Sequence, residues 1–218
     1  AKGIADLAQA DLSRSFLTEA VRAVIIALPV YRTYMTSAGV MERDRQRLAT
    51  ARQAAQESAL PEVREAIDFV WELLVDDRVT DTFKDCAEFR SRFQQVSGPI
   101  MAKALEDTLF YRENAFLALN EVGGNPGEAT EGPAAFHAAM QARFQTVPHS
   151  LSATSTHDTK RGEDARARLY TLSEAPERWI DATERWASLN FRFRRSHGGR
   201  TVPEPDVEWL IYQALAGI

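Results

Sequence analysis

The sequence has 218 residues, 44% hydrophobic and 26% charged, with a formal net charge of −5. This is the balance of a globular protein long enough to bury a core in one or two domains, and it lacks the basic excess of a nucleic-acid-binding surface. The longest apolar run, Val21–Val30, is interrupted by Arg22 and too short to span a bilayer, while a single cysteine, Cys86, excludes an internal disulfide and suits a reducing compartment.

Helical periodicity dominates. Ser13 is placed to cap a helix running to about Leu28, with Phe16, Leu17, Ala20, Val24 and Ala27 on one apolar face, and Pro29 ends it. A polar helix from Met41 to about Ser58 carries only a thin apolar stripe at Leu48. Pro61 opens a third, with Val63, Ile67, Val70, Trp71 and Leu74 recurring at three and four. A fourth runs from about Phe83 to Tyr111, broken or kinked at Gly98-Pro99; Cys86 falls inside it and reads as a small buried side chain.

Asn120 to Gly132 is rich in Gly, Pro, Asn and Glu and reads as a surface loop, after which helix resumes from Pro133 to about Gln145. Leu151–Thr156, small and β-branched, is the one strand candidate. Helices follow from Thr159, from Pro176 to about Arg195, and from Glu204 to Leu215. The dense basic stretch Arg192, Arg194, Arg195 and Arg200 reads as a solvated loop. The fold class is therefore mainly α. A lone strand has nowhere to place its backbone hydrogen bonds, so either Leu151–Thr156 is coil or its sheet lies in other sequence.

Three clusters carry possible chemistry. Thr156-His157-Asp158-Thr159-Lys160-Arg161 puts a carboxylate and an imidazole where the strand candidate ends. A carboxylate there can stabilise positive charge developing on a sugar ring, or Asp158 or Thr159 simply caps the following helix. Lys103, Glu106, Asp107 and Tyr111, at helical spacing, make a polar stripe that is either a site or a solvated face with ion pairs. Arg32 between Tyr31 and Tyr34 suits sugar recognition and interhelix packing equally. The four histidines are scattered, so no metal-ligand spacing appears, and Gly123-Gly124 lacks the context of a phosphate-binding loop.

Five strings stand in order from residue 29 to residue 213. They are Pro29-Val-Tyr-Arg-Thr-Tyr34; Met101-Ala-Lys-Ala-Leu-Glu-Asp-Thr108 with Phe110-Tyr-Arg112; Leu119-Asn-Glu-Val-Gly-Gly124; Ala153-Thr-Ser-Thr-His-Asp-Thr-Lys-Arg161 with Glu163-Asp164; and Glu208-Trp-Leu-Ile-Tyr-Gln213. Together they resemble the maltooligosyltrehalose synthases of the α-amylase superfamily. One departure is Ala104, where the family usually has Gly.

The resemblance implies a (β/α)₈-barrel enzyme with helical insertions, which turns the reducing-end α-1,4 linkage of a maltooligosaccharide into an α,α-1,1 linkage. It implies that residues 1–148 are a helical insertion and residues 149–218 a late barrel strand with the helices after it. Asp158 would be the carboxylate that steadies the transition state and His157 a sugar-hydroxyl ligand. Lys160, Arg161, Lys103, Glu106, Asp107, Tyr111, Arg112, Arg32, Tyr34, Asn120 and Glu121 would bind substrate.

Nothing here matches the motifs of the nucleophile and the acid/base. The chain, which does not begin with Met, is thus expected to be an interior segment, inactive alone. The rest of the parent barrel would be its partner, with a non-native dimer of the isolated segment possible through the uncovered face. No cofactor, metal, nucleic acid or membrane is expected, and the location expected is the cytoplasm. A different amylase-superfamily hydrolase acting on trehalosyl ends is the nearest alternative, set against by the Lys103–Tyr111 string. The alternative from another class is a free-standing helical interaction or carbohydrate-binding module.

Overall fold

The structure, a computed structural model, describes residues 12–36, 38–76, 84–127 and 131–218. The chain divides into two compact units, Ala1–Leu105 and Glu106–Ile218.

In the first unit, helices α1 (Arg14–Ile26), α2 (Glu42–Ser58) and α3 (Pro61–Val75) pack on one another, and α4 (Lys84–Met101) packs on α3. The Ser13 hydroxyl accepts the Phe16 N–H at 3.3 Å, so α1 starts where its cap residue dictates. Leu17, Ala20 and Val24 are buried on its inner face. The polar α2 meets that core through Leu48, Ala51 and Ala55, whose small alanine side chains let two helices approach closely. α3 supplies the largest apolar share, with Val63, Ala66, Ile67, Val70, Leu73, Leu74 and Val75 all buried. Each large side chain among these contributes about 1.5–3 kcal/mol by leaving water.

Buried Arg90 of α4 donates from Nε to the Leu73 carbonyl at 2.9 Å and from Nη2 to the Asp76 carbonyl at 2.8 Å, closing the end of α3 with a cation, as a helix C-terminus favours. Cys86 is buried in the same core. The expected start of α4 at Phe83 lies outside the described residues. The helix does not break at Gly98-Pro99. It runs through both to Met101, and the disturbance appears afterwards as a π-turn at Ala102–Glu106.

The second unit has a thinner core. Short 3₁₀ turns at Leu109–Tyr111 and Leu117–Leu119 precede α5 (Pro133–Thr146), α6 (Glu163–Glu174) and α7 (Pro176–Asn190). A third 3₁₀ turn, Phe191–Phe193, leads into a hairpin of β1 (Arg195–His197) and β2 (Arg200–Val202), and α8 (Pro205–Ala216) follows. Leu117, Ala118 and Leu169 form the buried centre, with Phe116, Leu172 and Leu210 against it.

The interior face of α8 holds the irregular segment before it by side chains. Fully buried Gln213 accepts the Leu117 N–H at 2.9 Å and donates to the Asn114 carbonyl at 2.8 Å, while Trp209 Nε1 donates to the Ala115 carbonyl at 3.0 Å. Trp209 also meets Trp179 edge-on at 5.7 Å, and Trp179 meets Trp186. α5 buries no residue at all.

Two expectations are corrected. Leu151–Thr156 is irregular, because among the described residues no strand lies beside it to take its backbone hydrogen bonds. The stretch after Asn190 is largely solvent-exposed, as expected, but it is not a loop. It turns through a 3₁₀ element into the antiparallel hairpin β1–β2, where Gly198 and Gly199 take the positive φ of 56° and 77° that a two-residue connection requires. Arg194 in that stretch is ion-paired with the buried carboxylate of Glu208.

Candidate functional site

Most of the predicted site residues fall in the second unit, on three segments distant in sequence: Glu106–Arg112, Leu119–Gly124 and Thr156–Arg166. The helical stripe expected from Lys103 to Tyr111 does not form, since the chain there passes through the π-turn and a 3₁₀ turn rather than a continuous α-helix. Lys103 lies exposed in the first unit.

The second segment is a tight turn. The Glu121 N–H donates to the Leu119 carbonyl at 3.0 Å and the Gly124 N–H to the Glu121 carbonyl at 2.7 Å. A Cβ at Gly124 would lie 2.8 Å from the Leu119 oxygen and 2.9 Å from the Glu121 oxygen, so this position accepts only glycine without backbone movement. Asn120 is buried inside the turn, its amide donating to the carbonyls of Phe110 at 3.0 Å and Glu113 at 2.6 Å, which ties the first segment to the second.

The turn aims Glu121 at the third segment. Its Oε1 accepts the N–H groups of Val122 at 2.9 Å and Lys160 at 2.8 Å. Its Oε2 accepts the Arg161 N–H at 3.3 Å and lies 3.4 Å from Nη1 of Arg166 on α6. Burial alone would raise the Glu121 carboxyl above its ordinary value. The three backbone donors and Arg166 outweigh it and hold the group below.

Lys160 is fixed at both ends. Its backbone rests on Glu121, and its ammonium sits 3.2 Å from Asp107 and 3.9 Å from Glu106, with the Lys160 side chain 13% exposed. Burial disfavours the ammonium, but the Asp107 hydrogen bond, with the charges of Asp107, Tyr111 and Glu106, keeps its pKa above the usual lysine value.

Asp158 and His157 stand on a turn built by Thr156, whose carbonyl accepts from the Thr159 hydroxyl at 2.8 Å and whose own hydroxyl accepts the Asp158 N–H at 3.3 Å. His157 Nε2 lies 3.2 Å from Asp158 Oδ2, and both side chains are largely exposed. Neither Asp158 nor Thr159 caps the following helix: α6 begins after Gly162, with no side-chain cap. Tyr111 and Arg112 are exposed at the rim of the first segment.

Arg32 and Tyr34 belong to the first unit, where the Arg32 guanidinium lies over the Tyr34 ring at 4.8 Å. Their irregular stretch is pinned by buried Asp44, which accepts the Tyr34 N–H at 2.8 Å, and by Gln94, which bonds both backbone groups of Met35. Arg166 was missed from the sequence. Its partners, the Glu121 carboxylate and the Thr154 carbonyl, are too far along the chain for any spacing rule to connect them.

The arrangement gives a lysine between two carboxylates beside an exposed Asp–His pair, a set able to hydrogen-bond polyhydroxyl ligands and to stabilise a cationic transition state. The whole fold is similar to the maltooligosyltrehalose synthase of Arthrobacter ramosus, with a TM-score of 0.74 and 36% identity, covering 98% of this chain and 25% of that one. A glycosyltrehalose synthase matches with a TM-score of 0.61 and 25% identity over 93% of this chain and 22% of its own. Two curated relatives from strains of Mycobacterium tuberculosis, named maltooligosyl trehalose synthase, are 49% identical over 88 residues, which is 40% of this chain and 12% of theirs. No family model matches the sequence. With the five strings and the solved relatives agreeing across nearly its entire length, the chain is similar to a segment of maltooligosyltrehalose synthases and spans about a quarter of the solved structures it matches.

Proposed function

We propose that this segment belongs to an α-amylase-superfamily enzyme that isomerises the reducing-end α-1,4 linkage of maltooligosaccharides to α,α-1,1, in the cytoplasm and without a cofactor. The observation that carries the reading is the meeting of three separate strings at Lys160: Glu106 and Asp107 on its ammonium, Glu121 on its backbone. In this reading residues 1–148 are the helical insertion and 149–218 part of the catalytic domain.

Asp158 is the carboxylate that steadies the oxocarbenium-like transition state and His157 holds a sugar hydroxyl. A retaining double displacement also needs a nucleophile and an acid/base about 5–5.5 Å apart. No residue here matches their motifs, so the segment alone is inactive. Isomerisation rather than hydrolysis requires that water be kept out while the released glucose stays bound and attacks the glycosyl intermediate through its anomeric hydroxyl. Lys160, Arg161, Asp107, Glu106, Tyr111 and Arg112 would wall that pocket.

The second unit's large exposed apolar side chains, among them Phe136, Phe144, Leu151, Leu189, Phe191 and Phe193, support a segment whose neighbours lie elsewhere in the polypeptide. The test is consumption of reducing ends from maltopentaose by the complete gene product, its Asp158→Asn variant and this isolated segment. The expected result is loss of reducing ends with little free glucose in the first and none in the other two. Failure of the complete protein to consume reducing ends would overturn the assignment, and near-normal turnover by Asp158→Asn would overturn the role of Asp158.

A further inference from the structure

The carboxylate of Glu121 is not free to receive a ligand, and its four donors all come from the protein. Two of them, the N–H groups of Lys160 and Arg161, lie two and three residues beyond Asp158 along the chain. We propose that Glu121 is a positioning residue: it contacts no sugar, and instead holds the backbone of the Thr156–Arg161 segment so that Asp158 and Lys160 stand in register for the reaction. This rests on the function proposed above and departs from the sugar-binding role that the resemblance implies for the same residue.

The physical case is that of an anion bound by converging main-chain donors. Backbone N–H groups exist whatever side chains the segment carries, so the hold fixes the path of the chain rather than any one side chain. The Glu121 turn is closed by glycines that its path requires: Gly123 takes a φ of 75°, and a Cβ at Gly124 would lie 2.8 Å from the Leu119 oxygen. Among the described residues, the charged groups that act on the carboxylate are those of Arg166 and Arg161, both cations. The side chain is 16% exposed, which leaves little of it for water or a ligand.

The ammonium of Lys160 needs this hold. Its stem is flexible, and meeting Asp107 at 3.2 Å and Glu106 at 3.9 Å requires a fixed root. Among the described residues Asp158 has no comparable anchor of its own. Its bonds, to His157 and to the Thr156 hydroxyl, are both within the same turn, so the placement of that turn depends on what seizes the chain just beyond it.

Glu121→Gln tests this, since it keeps the shape and one acceptor oxygen while turning an NH₂ group toward Arg161 and Arg166. In the isolated segment, the amide proton shifts of Val122, Lys160 and Arg161 are followed by NMR as the pH is lowered. They are expected to move together with one midpoint below 4.5, the ordinary glutamate value, and to lose that common transition in the variant. In the complete gene product the variant is expected to lose about 10- to 100-fold in kcat on maltopentaose, the scale of a reacting group misplaced by about 1 Å, while KM changes by less than about twofold. Glu121→Asp, which keeps the charge but falls one methylene short, should recover part of the loss.

A rise in KM with kcat preserved would make Glu121 a substrate ligand and overturn the proposal. So would Lys160 and Arg161 amides that show no common acid transition in the unmutated segment, or that keep it in Glu121→Gln. An unmutated complete protein with no action on maltopentaose would instead overturn the proposed function, and the amide titration would still decide whether Glu121 holds the segment.

Discussion

Replacing Lys160 by Met removes the ammonium and keeps the length of the stem, so its cost measures how far the site is held by charge. The hydrogen bond to Asp107 is 3.2 Å long and charge-assisted, a class that contributes about 1.5–3 kcal/mol. Asp107 is 39% exposed, so water screens its half of the pair and the lower end applies. Glu106 lies farther off at 3.9 Å but is only 10% exposed, so removing the ammonium beside it adds to the cost. The balance is a destabilisation of about 2 kcal/mol, of which about 1 kcal/mol should be shared with Asp107. A double-mutant cycle of Lys160→Met and Asp107→Asn isolates that shared part.

Urea unfolding followed by tryptophan fluorescence suits the measurement. Trp179, Trp186 and Trp209 lie together in the second unit, and a Trp71→Phe background silences the first. A coupling energy within about 0.3 kcal/mol of zero would refute the reasoning, because the contact would then be a surface coincidence.

Gln213→Leu preserves volume but strands the Leu117 N–H and the Asn114 carbonyl, so the second unit should lose about 2–4 kcal/mol in the same urea assay; a loss below about 1 kcal/mol would mean that water replaces the glutamine. Two opposite pH dependences follow from the site. The Lys160 pKa is raised on folding, so its contribution is complete below 10.5 and is lost as the pH climbs through the higher folded value. Glu121 is lowered on folding, so its contribution is complete above 4.5 and is lost as the pH falls through the lower folded value. Lys160→Met should flatten the alkaline limb of an unfolding-midpoint profile and Glu121→Gln the acid limb. The reverse assignment would show the signs to be wrong.

The helices of the first unit were legible because their burial is periodic. Leu17, Ala20 and Val24 repeat at three and four residues and all face one core, so hydropathy alone locates the helix and Ser13 locates its start. The second unit gives periodicity less to report. α5 buries nothing, and both strands of the β1–β2 hairpin are exposed along their length, so no alternation marks them. Gly198-Gly199 was the available sign of a hairpin, and the density of arginine around it drew the reading toward a solvated loop. Leu151–Thr156 failed in the opposite way. Its composition favours an extended chain, but a strand is a property of pairs, and the composition of one segment cannot say whether a second lies beside it.

The same limit governs the site. Spacing made Glu106 and Asp107 candidates for a site or an ion-paired face, the resemblance added a role for them and Lys160, and the structure brings the three together, although across turns rather than along the expected helix face. What spacing could not reveal is the part of the site that holds rather than touches. Glu121 grips the N–H groups of Lys160 and Arg161, Asn120 the carbonyls of Phe110 and Glu113, and Gln213 both backbone groups of the Asn114–Leu117 stretch. The partner in every case is a peptide group, which every residue there would carry, so the held position leaves no mark on composition.

Only the holding residue is visible in the sequence, as a polar side chain with no evident chemistry of its own. That is the appearance of Glu121 in its glycine-closed turn and of Gln213 at the end of Glu208-Trp-Leu-Ile-Tyr-Gln213. In a site assembled from loops such side chains do the work that strand pairing does elsewhere, because irregular segments have no ladder to fix them. Their acceptor and donor capacity is therefore spent before any ligand arrives. A polar residue in this kind of site is best counted as a ligand for sugar only after its backbone bonds have been subtracted.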